Sequence, residues 1–271
     1  MRLVNGQAAD VVSADDRGLS YGDGLFETIR FVDGHAPLWD RHMQRLQLGC
    51  SRLHMPAPAA AQLLDEARTS LADMPHAVVR ITLTRGVGER GYAMPSVPRT
   101  TRIVAAFPMP VVDTGLYADG VRLHLCETRL AEQPALAGLK HLNRLEQVLA
   151  RAEWNDPRMH EGLLRDGSGR VISAVSANLF AVIDGVPVTP SVARCGVAGV
   201  ARAEVLDALP QARVRELSLD DCRQAAEMFL CSSVRGILPV QSVGATVYRP
   251  GPVARAMQAH WIELGFPLEQ A

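Results

Sequence analysis

The sequence predicts an α+β protein of two domains, on three observations. Tight-turn pairs punctuate an N-terminal third of short apolar runs, helical periodicity follows them, and a proline-rich stretch separates this part from a differently patterned remainder. Asn5-Gly6, the strongest two-residue hairpin signal, lies between runs at 2–4 and 9–12 that are expected to pair as strands. The apolar run 25–32 ends at Asp33-Gly34 and is expected as a further strand. Residues 38–53 place Leu38, His42, Arg45, Leu46, Gly49 and Leu53 at helical spacing, and 59–71 continue in the same manner, so two helices follow. Runs 78–84 and 103–107 suit strands that bracket a Gly/Pro-rich loop.

After Phe107 come two prolines in three residues, Pro108 and Pro110, which fix an extended path that neither a helix nor a central strand accepts. The expected organisation is a small N-terminal domain, 1–110, a linker, 111–119, and a larger C-terminal domain, 120–271. In the latter, strands are expected at 121–126, 179–183 and 228–231, a hairpin around Asp166-Gly-Ser-Gly169, a turn at Asp184-Gly185, and helices at 143–154, 200–209 and 253–264.

Charge and composition remove several classes of function. With 28 Lys and Arg against 29 Asp and Glu, the net charge of −1 argues against a general nucleic-acid binder, which needs a basic excess to displace counterions from phosphate. No window approaches the roughly 18 apolar residues of a membrane span, and the N-terminus lacks the basic-then-apolar pattern of a secretory signal, so a cytoplasmic location is expected. The five cysteines are odd in number and never CxxC, and are expected as small buried hydrophobes. The histidines show neither HExxH nor ligand spacing, so no metal is expected, and no GxSxG elbow is present. Residues 86–91 spell GxGxxG, but Pro95 and Pro98 follow, where a dinucleotide site needs a helix.

What remains points to a lysine and an anion. Lys140 stands in the apolar stretch Leu136-Ala-Gly-Leu-Lys-His-Leu, where desolvation lowers the pKa of an amine and makes it a usable nucleophile or base. Gly196-Val-Ala-Gly199 runs into an expected helix, whose first amides, at Val200 and Ala201, suit a phosphate. Arg45, one helical turn from His42, adds a guanidinium, and Ser232-Ser233 add hydroxyls. A reactive lysine with a phosphate cup is what pyridoxal phosphate chemistry requires.

With GLKHLNRLEQ at 138–147, DRGLSYGDGLFET at 16–28, HMQRL at 42–46 and ANLF at 177–180, the chain resembles the class IV, or fold-type IV, pyridoxal phosphate enzymes from Asn5 to Pro239. Within them it is similar to the aminodeoxychorismate lyase subgroup, for which the stretch around Lys140 is the specific part; the other motifs are shared with branched-chain and D-amino-acid aminotransferases. The resemblance implies a small N-terminal α/β domain, a β-barrel-like C-terminal domain with helices, an active site at their junction, and a homodimer acting on a small molecule. It implies that Lys140 bonds covalently to pyridoxal 5'-phosphate. Arg45, Gly199, Val200 and Ala201 would hold the phosphate with help from Ser233, Tyr92 would line the pocket, Asn178 would shape the turn beside the cofactor, and Thr28 would face it. Arg30, Arg85 and Arg90 are nearby candidates for the substrate carboxylates.

One position departs from the pattern. Most relatives carry a glutamate five residues before the Asn of ANLF, where its carboxylate keeps the pyridine nitrogen protonated; here it is Ser173. A hydroxyl leaves that nitrogen nearer neutral and weakens the electron sink. A lyase tolerates this better than an aminotransferase, because its product becomes aromatic. The expected reaction therefore converts 4-amino-4-deoxychorismate to 4-aminobenzoate and pyruvate, with Lys140 as general base and Thr28 or Lys140 assisting the leaving group. A class IV aminotransferase, or a cofactor-binding homologue weakened by Ser173, is the alternative.

Overall fold

The structure, a computed structural model, describes residues 1–267. The chain divides into two compact units, Met1–Pro110 with Leu139–Asn143, and Val111–Gly138 with the residues from Arg144 onward.

The first unit holds β1 (Arg2–Val4), β2 (Gln7–Ala8), α1 (Arg17–Tyr21), β3 (Gly24–Val32), α2 (Trp39–Arg52), α3 (Ala60–Leu71), β4 (His76–Thr84) and β5 (Thr101–Pro108). Its strands form one antiparallel sheet in the order β2-β1-β5-β4-β3. Asn5 and Gly6 both take positive φ, 51° and 82°, as a two-residue hairpin loop requires. That loop pairs Val4 with Gln7 and Leu3 with Ala8 at once, so the second strand is residues 7–8, not the expected 9–12, and Val11 and Val12 are exposed.

Strand alternation gives the sheet two faces. Leu25, Ile29 and Phe31 of β3 join Val79, Ile81 and Leu83 of β4 in the core beneath α2 and α3, with Leu46 and Leu63. On the opposite face Phe26, Thr28 and Arg30 stand beside Thr82, Arg80 and Val78. β3 would be a free edge, but residues 140–142 lie along it. The Phe26 N–H donates to the Lys140 carbonyl at 2.9 Å and the Leu142 N–H to the Gly24 carbonyl at 3.0 Å. The glycine-rich stretch after β4 is a loop with no helix behind it. At Gly86, φ is +85° and a Cβ would fall 1.8 Å from the Arg99 carbonyl oxygen, so only glycine fits.

The second unit contains α4 (Gly115–Asp119), β6 (Val121–Leu130), α5 (Leu145–Arg151), β7 (Glu161–Asp166), β8 (Val171–Ala174), β9 (Asn178–Ile183), β10 (Val186–Pro190), α6 (Val200–Ala208), β11 (Arg213–Arg215), α7 (Leu219–Gln224), β12 (Glu227–Ser232), β13 (Gly236–Val243), β14 (Thr246–Val247) and α8 (Pro252–Glu263). The first helix thus falls inside the expected linker, 111–119. The strand order is β11-β10-β9-β12-β13-β6-β7-β8, with β14 on β13. A bridge from Val171 of β8 to Leu217, just past β11, brings the two ends of that order together and gives the sheet its barrel-like wrap. The interior is Val121, Leu123, Leu163, Leu179, Leu230 and Val240 among others. α5 is shorter than the expected 143–154, because Glu153 turns to accept the backbone N–H groups of Glu127 and Thr128 at 2.7 and 2.8 Å, where the register of β6 shifts.

Candidate active site

Lys140 is half-buried in the segment that completes the edge of β3. Its Nζ lies 4.3 Å from the centroid of the Phe26 ring, an aromatic face that favours a cation. Arg80 rests its guanidinium on the same ring, 4.4 Å from the centroid, and donates from Nε to Thr82 Oγ1 at 3.3 Å. Thr28 pairs with Arg80 in the β3–β4 register and shares this face, and Arg30, only 3% exposed, follows it. Arg80 was not among the sequence candidates; its alternation with Val78 and Thr82, matched to Phe26 and Thr28, is the signal that would have found it.

Glu27 points to the other face, towards α2. His42 and Arg45 are three apart and so share one side of that helix. His42 Nδ1 lies 2.6 Å from Glu27 Oε2, Arg45 Nε donates to Oε1 at 2.8 Å, and Arg45 Nη2 donates to Oε2. Burial opposes the ionised Glu27, but the Arg45 charge and the hydrogen bonds from His42 and Arg45 outweigh it, and the carboxyl is held down to about 2. Burial pushes His42 below its ordinary value; Glu27 opposes this, while Arg45 and Lys140 reinforce it. Arg45 is thus fixed by a buried carboxylate that the sequence did not single out.

The other arginines expected near substrate differ in placement. Arg85 donates to Asp23 Oδ2 and Oδ1 at 2.7 and 3.0 Å, to the Leu53 carbonyl at 2.8 Å and to the His54 carbonyl at 3.0 Å. These contacts close the C-terminal end of α2, so its donors serve the fold and not a carboxylate of substrate. Burial again works against Asp23, but Arg85 and Arg17 hold its carboxyl low. Arg90 is exposed in the loop after β4; Tyr92 is 87% exposed, its ring 5.5 Å from that of Tyr21.

In the second unit, α6 begins at Val200 with Gly199 as N-cap and no side chain capping it, although Val200 and Ala201 are buried. Such an end presents backbone N–H groups and the positive end of the helix dipole to an anion. Asn178 shapes the approach: its Oδ1 stands 2.0 Å from where a Cβ on residue 199 would lie, and its Nδ2 donates to the Val197 carbonyl at 3.0 Å. Gly138 braces the same loop, donating to Gly196 O and accepting from Ala198 N–H, both at 3.0 Å.

Ser173, on β8, is 8% exposed, and among the described residues nothing hydrogen-bonds its hydroxyl. Ser233 lies in the turn from β12 to β13. There Arg235, also missed by the sequence, donates from its backbone to Ser232 Oγ at 3.1 Å and from Nη2 to Glu161 Oε2 at 2.6 Å and Ser176 Oγ at 2.7 Å. All five cysteines are buried with free thiols, and burial pushes that of Cys231 up to about 12. Among the described residues no group of three or more His, Cys, Asp or Glu could hold a metal, and no helix is long and apolar enough to cross a membrane.

Comparison with known proteins places the chain among relatives of known family. Residues 24–243 match the model of amino-transferase class IV. The chain is 36% identical to aminodeoxychorismate lyase of Vibrio harveyi over 249 residues, 90% of this chain and 92% of that one. The crystal structure of 4-amino-4-deoxychorismate lyase from Pseudomonas aeruginosa superposes with a TM-score of 0.92 at 44% identity, covering 97% of this chain and 98% of the other. Branched-chain amino acid aminotransferase from Escherichia coli gives 0.83 at 25% identity, covering 97% and 93%. The match over most of the chain and the identity to these relatives show that the chain belongs to the class IV aminotransferase family.

Proposed function

We propose that this protein is a pyridoxal phosphate-dependent lyase that converts 4-amino-4-deoxychorismate to 4-aminobenzoate and pyruvate. The observation that carries it is the likeness to two such lyases, at 36% and 44% identity across nine-tenths or more of the chain, against 25% and 30% to two branched-chain aminotransferases.

The residues present fit the cofactor. The buried amides of Val200 and Ala201 at an uncapped helix start suit its phosphate, and glycine at 199 leaves room for Asn178, which packs where a Cβ would lie and fixes the loop ahead of that helix start. Arg45 supplies the guanidinium, held ready by Glu27, and Ser233 a further hydroxyl. Ser173 would face the ring nitrogen as a neutral partner, and Tyr92 would cover the pocket. When bound, pyridoxal phosphate supplies an electron sink next to the carbon that carries the substrate's amino group.

Lys140 acts as general base, moving the proton from C4 of the substrate to its Nζ. The Phe26 ring and the strand edge hold that nitrogen in place, since the Lys140 backbone is hydrogen-bonded to Phe26. Thr28, on the same face, delivers a proton to the ether oxygen as pyruvate leaves. Arg30 is a further candidate for a substrate carboxylate.

The test is release of pyruvate and 4-aminobenzoate from enzymatically generated 4-amino-4-deoxychorismate with added cofactor. Lys140→Ala should lower release by at least about a thousandfold, in line with the loss of a group that acts as base and nucleophile. Absence of release from the unaltered protein, with amino-group transfer from an amino acid instead, would make it an aminotransferase. We also assign it as a homodimer, supported by exposed Leu145, Val148 and Leu149, spaced i, i+3, i+4 on α5. The mass in solution should be twice 29.3 kDa.

A further inference from the structure

Arg202 lies in the first turn of α6, two residues after Val200, and is only 8% exposed. Its partners are neutral: Nε donates to Thr189 Oγ1 at 3.1 Å and Nη2 to the Pro190 carbonyl at 3.0 Å, while Nη1 donates to nothing among the described residues. Arg17 and Arg85 are buried to a similar degree, but they share Asp23 at 2.9 and 2.7 Å. Arg202 has no such acid among the described residues. Burial pushes its pKa below the ordinary value and no carboxylate opposes this, yet a guanidinium keeps its proton. The charge is thus buried without a counterion, and it stands at the end of a helix where the dipole is already positive. A brace between α6 and β10 does not need it. Thr189 Oγ1 gives its own proton to the Leu179 carbonyl at 2.8 Å, so both partners of Arg202 act as acceptors, which a neutral amide would serve as well. What the arginine alone adds is charge.

We propose that Arg202 is a positioning residue that acts through the start of α6, its uncompensated charge adding to the helix dipole and setting the affinity of that helix start for the phosphate of pyridoxal phosphate. This rests on the reading of the Val200 and Ala201 amides as the phosphate site. The side chain leaves the helix beside those amides, since its Cβ would stand 3.6 Å from a Cβ on Gly199. A phosphate monoester carries about −1.5 to −2 charges at neutral pH and is the counterion that the buried guanidinium lacks. The interaction runs through the field of the charge and not through a hydrogen bond, and the dry interior between them screens it less than water would. Arg202 therefore weakens the protein without cofactor and strengthens the loaded one.

Titration of the apoprotein with pyridoxal phosphate, and with pyridoxal, which has no phosphate, tests this in Arg202→Met, Arg202→Gln and Arg202→Lys, read by the absorbance of the bound ligand. The methionine and glutamine variants should bind pyridoxal phosphate about 10- to 30-fold more weakly, the size of one charge acting through protein, and pyridoxal within about twofold of the unaltered chain. The lysine variant should recover most of the loss, because it restores the charge without the fork of donors. Without cofactor, the methionine variant should melt no lower than the unaltered chain, and added pyridoxal phosphate should raise its melting temperature by less. Unchanged affinity of the two neutral variants for pyridoxal phosphate would overturn the proposal. So would equal weakening towards both ligands, or a glutamine variant that binds like the unaltered chain, since either makes Arg202 a brace. Failure of the underlying reading is visible separately: an unaltered protein that binds pyridoxal as tightly as pyridoxal phosphate has no phosphate site at α6, and this proposal falls with it.

Discussion

Arg80 and Arg85 stand five residues apart, one within β4 and one just past its end, and the fold uses them oppositely. Arg85 spends its guanidinium on Asp23 and on the Leu53 and His54 carbonyls just past α2, and is buried. Arg80 meets a hydroxyl and an aromatic ring and keeps its charge without a carboxylate among the described residues. Arg45 stands between the two, held by Glu27 and proposed to meet the cofactor phosphate. A cation whose donors are spent on carboxylates and carbonyls is a brace, and one without a carboxylate leaves its charge uncompensated on the sheet face.

The comparison breaks most visibly at Arg85. Arg85→Met leaves Asp23 with Arg17 alone and uncaps the end of α2, and should destabilise the protein by about 3 kcal/mol in a denaturant melt. Equal stability of this variant and the wild type would remove the distinction. A smaller effect is expected from pH, acting on the group around Arg45. His42 lies below its ordinary value of 6.5, so in the window beneath 6.5 the unfolded chain binds more protons than the folded one. Stability is therefore full above 6.5 and declines as the pH falls below it. Glu27, held near 2, adds its own loss only in stronger acid, below 4.5. His42→Gln should flatten the melting-temperature profile in the first window and, by weakening the hold on Glu27, lessen the loss in the second. The smallest effect belongs to Arg80→Met, within about 0.5 kcal/mol of wild type in the same melt.

Much of this was open to inspection in the sequence, for physical reasons that also mark its limits. Local signals carried α2, α3, α6 and α8 through 3.6-residue periodicity, the long strand β3 through its apolar run, and the first hairpin through Asn5-Gly6. Lys140 was conspicuous as a lysine in apolar company, and Gly199 as a glycine ahead of a helix. β10 and β13 were not legible, because Pro187 and Pro239 read against a strand, whereas the sheet admits them by its own pairing. α7 was open to discovery through the capping box Ser218 with Asp221. The division of labour among Arg45, Arg80 and Arg85 was closed to sequence. It depends on which acid a strand from elsewhere in the chain brings near, and spacing along the chain carries no trace of that.

Residues 140–142 run along the edge of β3, though they are made only after the chain has entered its second unit. During synthesis, then, the first unit emerges with its sheet built and one border strand open, and it stays so while residues 111–138 follow. Closing that loop costs little entropy, since the cost grows only with the logarithm of its length. The open border is the hazard, because an apolar strand with unsatisfied backbone groups pairs with whatever chain it meets. The segment bearing Lys140 is thus also the one that seals the nascent protein, so a fragment ending at Pro110 should form assemblies larger than a dimer where the full chain does not.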